Sequence, residues 1–395
     1  MGTVVAFLQP IVSVRQREVR MVEALARGIG PGGRIRTPSE LFAEAQRGGY
    51  HDEFERHCRH AALAAYAALP AETRPPALSL NTDSSLVQLG AEGAELLLSE
   101  VRGAALSPTN VALEILESAT SDLSRLEDFC RTARRHGFLV ALDDVGTGHS
   151  NLERIPRLEP DILKIDRSLV HGMNDNYHRR EVFRSLFALS HQIGALTIAE
   201  GVETEPDVLA GLGLGCDMFQ GFYFGRPVDP AGGAPLVDHA RLREAGDLFR
   251  ASATRRVNER RARRKRSELA IRALLARMKD VGQTSFDALL HSELENVPFV
   301  EALYVLDEHG VQITDTVHRG ASSRQALFHP AVRGADQSLK QYFLMLQAGL
   351  ERYTSDPYIS SASGSFCVTM SRFFTNNLGQ TYVLCCDLVV PRDES

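Results

Sequence analysis

Two adjacent carboxylates, Asp143 and Asp144, follow the apolar run of residues 138–142 and precede a loop spaced by Gly146 and Gly148. Side by side at the end of a buried strand they repel, and they stay ionised only against positive charge. A turn or helix cap, with Asp bonded to its own backbone, also suits the pair taken alone. Other polar residues recur near predicted strand ends: Glu23, Asn81, Glu114, Glu200 and Glu203, with Lys164 among them. Each alone could be a cap or half of an ion pair. Glu114 is harder to dismiss, because a Glu inside the apolar run 111–115 is costly unless paired or metal-bound. Together these oxygens suit Mg2+ or Mn2+, and no histidines stand at matching positions to suggest zinc. Neither a G-x-x-x-x-G-K-[ST] loop nor a G-x-G-x-x-G after a strand is present, so neither ATP nor NAD is suggested.

The elements that must position these groups are short apolar strands alternating with helices over roughly 230 residues. Strands are predicted at 4–14, 77–81, 111–115, 138–142, 160–166 and 195–200, with helices at 39–47, 52–68, 123–137 and 179–193. Strands that end in polar residues predict parallel α/β in the form of a (β/α)8 barrel, whose active face gathers strand ends. By periodicity alone a doubly wound sheet is the alternative. A boundary falls at 227–235, and a helical pattern continues from 237 to about 278. Between Arg255 and Arg266 it carries eight basic residues against Glu259. No aromatics interleave them, so a solvated linker face is favoured over a nucleic-acid or membrane patch. The tail predicts one hairpin around residues 307–310, a helix over 338–350, and a second hairpin joining 366–374 to 381–390.

Composition is that of globular material, 44% hydrophobic and 24% charged, with a net charge of -6 that offers no global attraction to nucleic acid or anionic lipid. No stretch reaches the ~20 apolar residues of a membrane span. The first residues read as a strand rather than a leader, which predicts a cytoplasmic protein. The six cysteines have no repeated C-x-x-C spacing, and Cys385-Cys386 reads as core.

In order and spacing the motifs resemble the EAL family of cyclic di-GMP phosphodiesterases over about residues 4–230. They are Gln9-Pro10-Ile11, Glu23-Ala24-Leu25 with Arg27, Asn81, Glu114 to Glu117, and Asp143-Asp144-Val-Gly-Thr-Gly. Asp161 to Asp166, Ala199 to Glu203 and Gln220-Gly-Phe-Tyr complete the set. The resemblance implies two divalent cations, Mg2+ or Mn2+, one held by Glu23, Asn81, Glu114 and Asp143, the other by Asp143, Asp144 and Glu200. It implies cleavage of cyclic di-GMP to linear pGpG, with Lys164 positioning or deprotonating the water and Arg27 clamping phosphate. Gln9 and Gln220 would lie near the nucleotide. Glu117 would anchor the loop after the aspartate pair, and Glu203 would support the site from behind. A homodimer is implied as well.

Gly28, Leu116, Val145 and His149 depart from the family's usual residues. The alternative reading is a receptor that binds cyclic di-GMP without turning it over. The tail resembles Cache or PAS-like sensor domains, with Arg333, Lys340, Tyr342 and Tyr358 as candidate contacts to a small ligand. The predicted division is a barrel over 1–235, a helical linker with its basic segment over 236–282, and an α+β sensory domain over 283–395.

Overall fold

The computed structural model describes residues 3–116, 122–146, 151–319 and 329–390. They fall into two units, residues 1–254 and 255–395.

The first unit opens with β1 (Thr3–Ser13) and β2 (Glu18–Ile29), an antiparallel hairpin turning at residues 14–17. Next come β3 (Ile35–Arg36), α1 (Pro38–Gly48), α2 (His51–Ala67) and β4 (Ala77–Asn81). Thr37 and Glu40 form a reciprocal capping box that starts α1. The chain continues through α3 (Ser84–Gln88), α4 (Ala91–Gly103), β5 (Val111–Ile115), α5 (Leu123–Arg135) and β6 (Leu139–Val145). It then forms α6 (Asn151–Leu158), β7 (Ile162–Ile165), α7 (Arg167–Val170), α8 (Tyr177–Ile193), β8 (Leu196–Ala199), α9 (Glu205–Leu214) and β9 (Met218–Gln220).

Eight of these strands close into a ring in the order β1-β9-β8-β7-β6-β5-β4-β2, with β2 pairing back to β1. The barrel expectation holds, with one difference: β1 runs antiparallel to both neighbours, so the sheet is not wholly parallel. A tight hairpin can join β1 to β2 only if they are antiparallel, whereas each parallel neighbour needs a helical crossover. A second difference lies at 28–38, where the expected loop contains the end of β2 and the short β3. Gly28, one of the departures, allows this packing: a side chain there would strike Leu41 of α1 at 2.7 Å.

Strand pleating sets the barrel interior. One apolar residue per strand fills the floor: Ile11, Met21, Ala77, Ala112, Ala141, Ile162, Ile198 and Met218. Two positions toward the C-terminal ends of the parallel strands lie Glu23, Ser79, Glu114, Asp143, Lys164, Glu200 and Gln220. On the reversed β1 the equivalent step is backward, to Gln9, whose register partner is Glu23. An apolar layer thus supports a polar ring.

The helix α10 (His239–Lys279) begins in the first unit and ends in the second, and its basic residues 255–261 are exposed. The second unit adds α11 (Phe286–Leu294), β10 (Val300–Asp307), β11 (Val317–His318), α12 (Gln341–Gln347), β12 (Arg352–Thr354), β13 (Tyr358–Ile359), β14 (Phe366–Thr375) and β15 (Thr381–Val389). Its sheet runs β11-β10-β15-β14-β12, with β13 on β14. The second predicted hairpin is β14–β15. The first is only a turn: Asp307 accepts bonds from the backbones of His309 and Val311, but residues 311–312 make isolated bridges and β11 is the partner of β10. The side chain of Gln312 accounts for the difference, because it turns inward to bond Thr314, Thr316 and Ala331.

Asp387 on β15 is the one buried carboxylate among the described residues without a cation at ion-pair distance, and it accepts from Thr369 at 2.8 Å and Ser360 at 3.3 Å. Burial raises it to about 6. A carboxyl raised in the folded state contributes stability that is present below its unfolded value and lost as pH rises through about 6. Asp387→Asn escapes that loss. Urea unfolding followed by circular dichroism should find it more stable than the parent by about 1–2 kcal/mol at pH 8 and no different near pH 4. Equal stability at both values would refute this.

Candidate active site

Each strand of the ring presents its polar residue at the same level, and the result is a concentrated acidic site. Lys164 stands in the middle, 1% exposed, with its Nζ 2.7 Å from Glu114, 2.7 Å from Glu200, 3.2 Å from Asp143 and 3.8 Å from Glu23. Burial is the largest influence on this amine and pulls it down. The carboxylates of Glu114, Glu23, Glu200 and Asp143 outweigh that pull and hold it well above its ordinary value. In this arrangement Lys164 is an ammonium counter-ion, so the expectation that it deprotonates water gives way to positioning and charge compensation.

Around it the ligand candidates are fixed by neighbours. Glu114 is fully buried and its Oε1 accepts from Ser79 at 2.5 Å. Glu23 accepts from Asn81 at 3.2 Å through Oε1 and from Gln220 at 2.5 Å through Oε2. Gln220 also donates to Gln9 at 3.2 Å, and Gln9 donates to the Gly225 carbonyl. These two glutamines therefore orient a carboxylate as well as lining the cavity. Gly221 holds the end of β9 in place, since a Cβ there would meet the Val202 backbone at 2.1 Å. Ser79 escaped the sequence reading. Its signal was the two-residue step from Ala77, shared by every neighbouring strand.

The aspartate pair has a local cause. Consecutive strand residues point to opposite faces, which would send Asp144 outward. The β6–β7 register shifts between Leu142 and Val145, and Asp144 has a left-handed backbone (φ 54°). Such a bulge re-aims a side chain, and aspartate tolerates this conformation better than most residues. Oxygens of Asp143, Asp144 and Glu200 lie within 4.8 Å of one another.

The donor set fits hard divalent cations. Every candidate ligand atom is oxygen. Buried Oε2 of Glu114 has no hydrogen-bond partner, and Oδ1 of Asp143 has none beyond its approach to Lys164. Burial, followed by the nearby Glu23, raises Glu114 well above the usual carboxylate range against the pull of Lys164. Glu200 is raised to about 8, first by burial and then by Asp143 and Glu23, again against Lys164. A cation must displace the proton on Glu200, so the apparent Kd for Mn2+ should fall as pH rises between about 6 and 9. Calorimetry in two buffers of different ionisation enthalpy reads the accompanying proton release; a pH-independent Kd without release would contradict it.

Gln9, Glu23, Asp143, Lys164, Glu200 and Gln220 line a cavity of about 230 Å³, rimmed by Arg167, Glu203 and Phe222. Glu203 stands at the rim and pairs with Arg167 at 3.1 Å. Arg27 is half-buried beside the site, its guanidinium on the Ala26 carbonyl and 5.8 Å from the Phe7 ring. Burial lowers it, against the opposing effect of Glu23. Glu117 and His149 lie outside the described residues. In the second unit the four candidate ligand contacts are spread over separate partners. Arg333 pairs with Asp287, Lys340 is exposed before α12, Tyr342 bonds Gln337 and Tyr358 meets Thr369.

Comparison with known proteins matches residues 2–227 to the EAL domain. The cyclic di-GMP phosphodiesterase RocR of Pseudomonas aeruginosa is 30% identical over 233 residues, covering 58% of this chain and 58% of that protein. An uncharacterised Azorhizobium caulinodans protein is 32% identical over 235 residues, of which the match covers 32%. The chain thus spans less than two thirds of the length of either relative. The crystal structure of the Bacillus subtilis YkuI protein, with an EAL domain, in complex with substrate c-di-GMP and calcium, aligns over 98% of this chain and 96% of its own, with a TM-score of 0.80. At 23% identity that similarity is one of fold. Klebsiella pneumoniae BlrP1, in a manganese and cyclic di-GMP complex, aligns over 57% of this chain and 56% of its own, at 27% identity and a TM-score of 0.52.

Proposed function

The chain belongs to the EAL domain family, and we propose that its barrel hydrolyses cyclic di-GMP to linear pGpG. The observation that carries this is the polar ring: Glu23, Glu114, Asp143, Asp144 and Glu200 gathered about one buried lysine, with oxygens of Glu114 and Asp143 left without hydrogen bonds. Glu23, Asn81, Glu114 and Asp143 would hold one ion, and Asp143, Asp144 and Glu200 the other. When bound, such ions supply Lewis acidity and lower the pKa of water toward neutrality.

The chain's own residues do the rest. Asn81 and Gln220 fix Glu23, and Ser79 fixes Glu114, so the carboxylates need no rearrangement when loaded. Lys164 donates to a non-bridging phosphoryl oxygen as negative charge grows there. Arg27 offers a guanidinium fork to the second phosphate. In the net reaction water supplies one new P–O bond, the bond from that phosphorus to the neighbouring 3′-oxygen breaks, and the ring opens.

Turnover of cyclic di-GMP by the purified chain, with Mg2+, Mn2+ or excess chelator, tests the proposal. Metal-dependent appearance of pGpG is expected. Tight binding with no product under either metal would make the protein a receptor instead, and neither binding nor product would sink the reading. The homodimer remains a proposal of the same kind. It is supported by an apolar groove lined by Leu152, Ile155, Pro156, Leu189 and Ile193, and light scattering after gel filtration decides it.

A further inference from the structure

A second cavity of about 280 Å³ adjoins the acidic ring and shares Glu23 and Asn81 with it. Its walls are mostly apolar, including Leu25, Pro38, Phe42, Leu80 and Leu116. Phe42 is held by edge contact with Phe54 at 5.0 Å between ring centroids and by His51 at 5.8 Å. Its size is near the lower end of small-molecule pockets.

Two charged side chains of α2 reach this cavity, and they differ in what they have left to give. Arg59 is committed, bonded to Glu100 at 2.5 Å and paired with Asp83. Glu55 is only 8% exposed, its Oε1 lies 3.1 Å from Nε2 of His51, and its buried Oε2 has no hydrogen-bond partner. An unsatisfied buried carboxylate oxygen costs the desolvation of that atom unless a donor arrives. An ionised carboxylate offers only acceptors, about four lone-pair sites over two oxygens. The group that suits it is flat, fits between apolar walls and a ring, and carries two adjacent N–H donors on one edge. Guanine has that edge, N1–H beside the exocyclic amine. Adenine places an acceptor at N1 and would be repelled.

We infer that this cavity takes one guanine base of the substrate, and that Glu55 reads its Watson–Crick edge. The inference rests on the proposed cyclic di-GMP hydrolysis and adds a specificity-determining residue outside the ion-binding ring. It places one nucleoside over Glu23 and Asn81, with the phosphates toward Lys164.

The test compares cyclic di-GMP with its hypoxanthine analogue, which keeps N1–H and lacks the exocyclic amine. The parent enzyme should prefer the guanine substrate by roughly tenfold in KM, the worth of one hydrogen bond to a charged acceptor. Glu55→Gln turns one acceptor into a donor. It should raise KM for cyclic di-GMP roughly 10- to 100-fold and bring the ratio between the two substrates close to one. Glu55 does not touch the reacting atoms, so kcat should stay within about threefold. Equal KM values for both substrates in the parent would overturn the inference without recourse to any variant. So would Glu55→Gln retaining both the parental KM and the parental ratio. A parent that neither turns over nor binds cyclic di-GMP would instead mark failure of the underlying reading, and the inference falls with it.

Discussion

Glu114→Gln should lower kcat for cyclic di-GMP by on the order of 10²- to 10³-fold while leaving the fold intact. Glu114 is wholly buried, with one oxygen bound by Ser79 and Lys164 and the other free for an ion. The amide fills the same volume, so the barrel floor beneath it is undisturbed. It removes a formal charge from the ion site and can turn an N–H toward the Lys164 ammonium, 2.7 Å from the present oxygen. Burial already disfavours ionised Glu114, so a neutral replacement suits the metal-free protein. Melting in chelator should therefore show no loss of stability, whereas Mn2+ titration should show a weaker Kd. Activity near the parental level would remove Glu114 from the ion site.

Lys164→Met should do the opposite to stability. Glu23, Glu114, Asp143 and Glu200 all face this ammonium, and removing it leaves buried carboxylates without compensation. Breaking a buried pair in that way costs about 3–5 kcal/mol. In chelator the variant should melt well below the parent. Divalent cations bind the folded state and neutralise the same carboxylates, so Mn2+ should raise its Tm by more than it raises the parent's. Turnover should still be severely reduced at saturating metal, because the donor to the phosphoryl oxygen is gone. An unchanged Tm in chelator would show that the carboxylates carry protons instead and need no ammonium.

Much of this site was legible because chemistry and pleating coincide. Glu114 in an apolar run and the pair Asp143–Asp144 are conspicuous as costs, and a cost implies something that offsets it. The roles of Ser79 and Gln220 were not legible, because a serine or glutamine in a strand carries no such cost. Only the three-dimensional ring shows that they bond Glu114 and Glu23. The reversal of β1 was hidden for a related reason, as alternation along one strand reports its buried face and not its direction. The bulge at Asp144 broke alternation outright. In the tail, the turn at Asp307 was readable from local residues, but the inward turn of Gln312 that displaced the expected strand depends on Ala331, nineteen residues away. Cys385 and Cys386 are fully buried and unpaired, as core residues of β15.

The seam of the barrel lies between β1 and β9, joined through Ile11–Gln220 and Val12–Phe219. The hairpin of β1 and β2 needs only a local turn and can form as soon as it is synthesised. The seam waits for a strand some two hundred residues later, and closing so long a loop costs entropy before any contact is gained. Gln220, the residue that delivers the second hydrogen bond to Glu23, sits on that last strand. On the ribosome, Glu23 is therefore made early and oriented late. A nascent chain holds most of its acidic ligands long before it can grip an ion firmly, and that ability arrives with the step that shuts the ring.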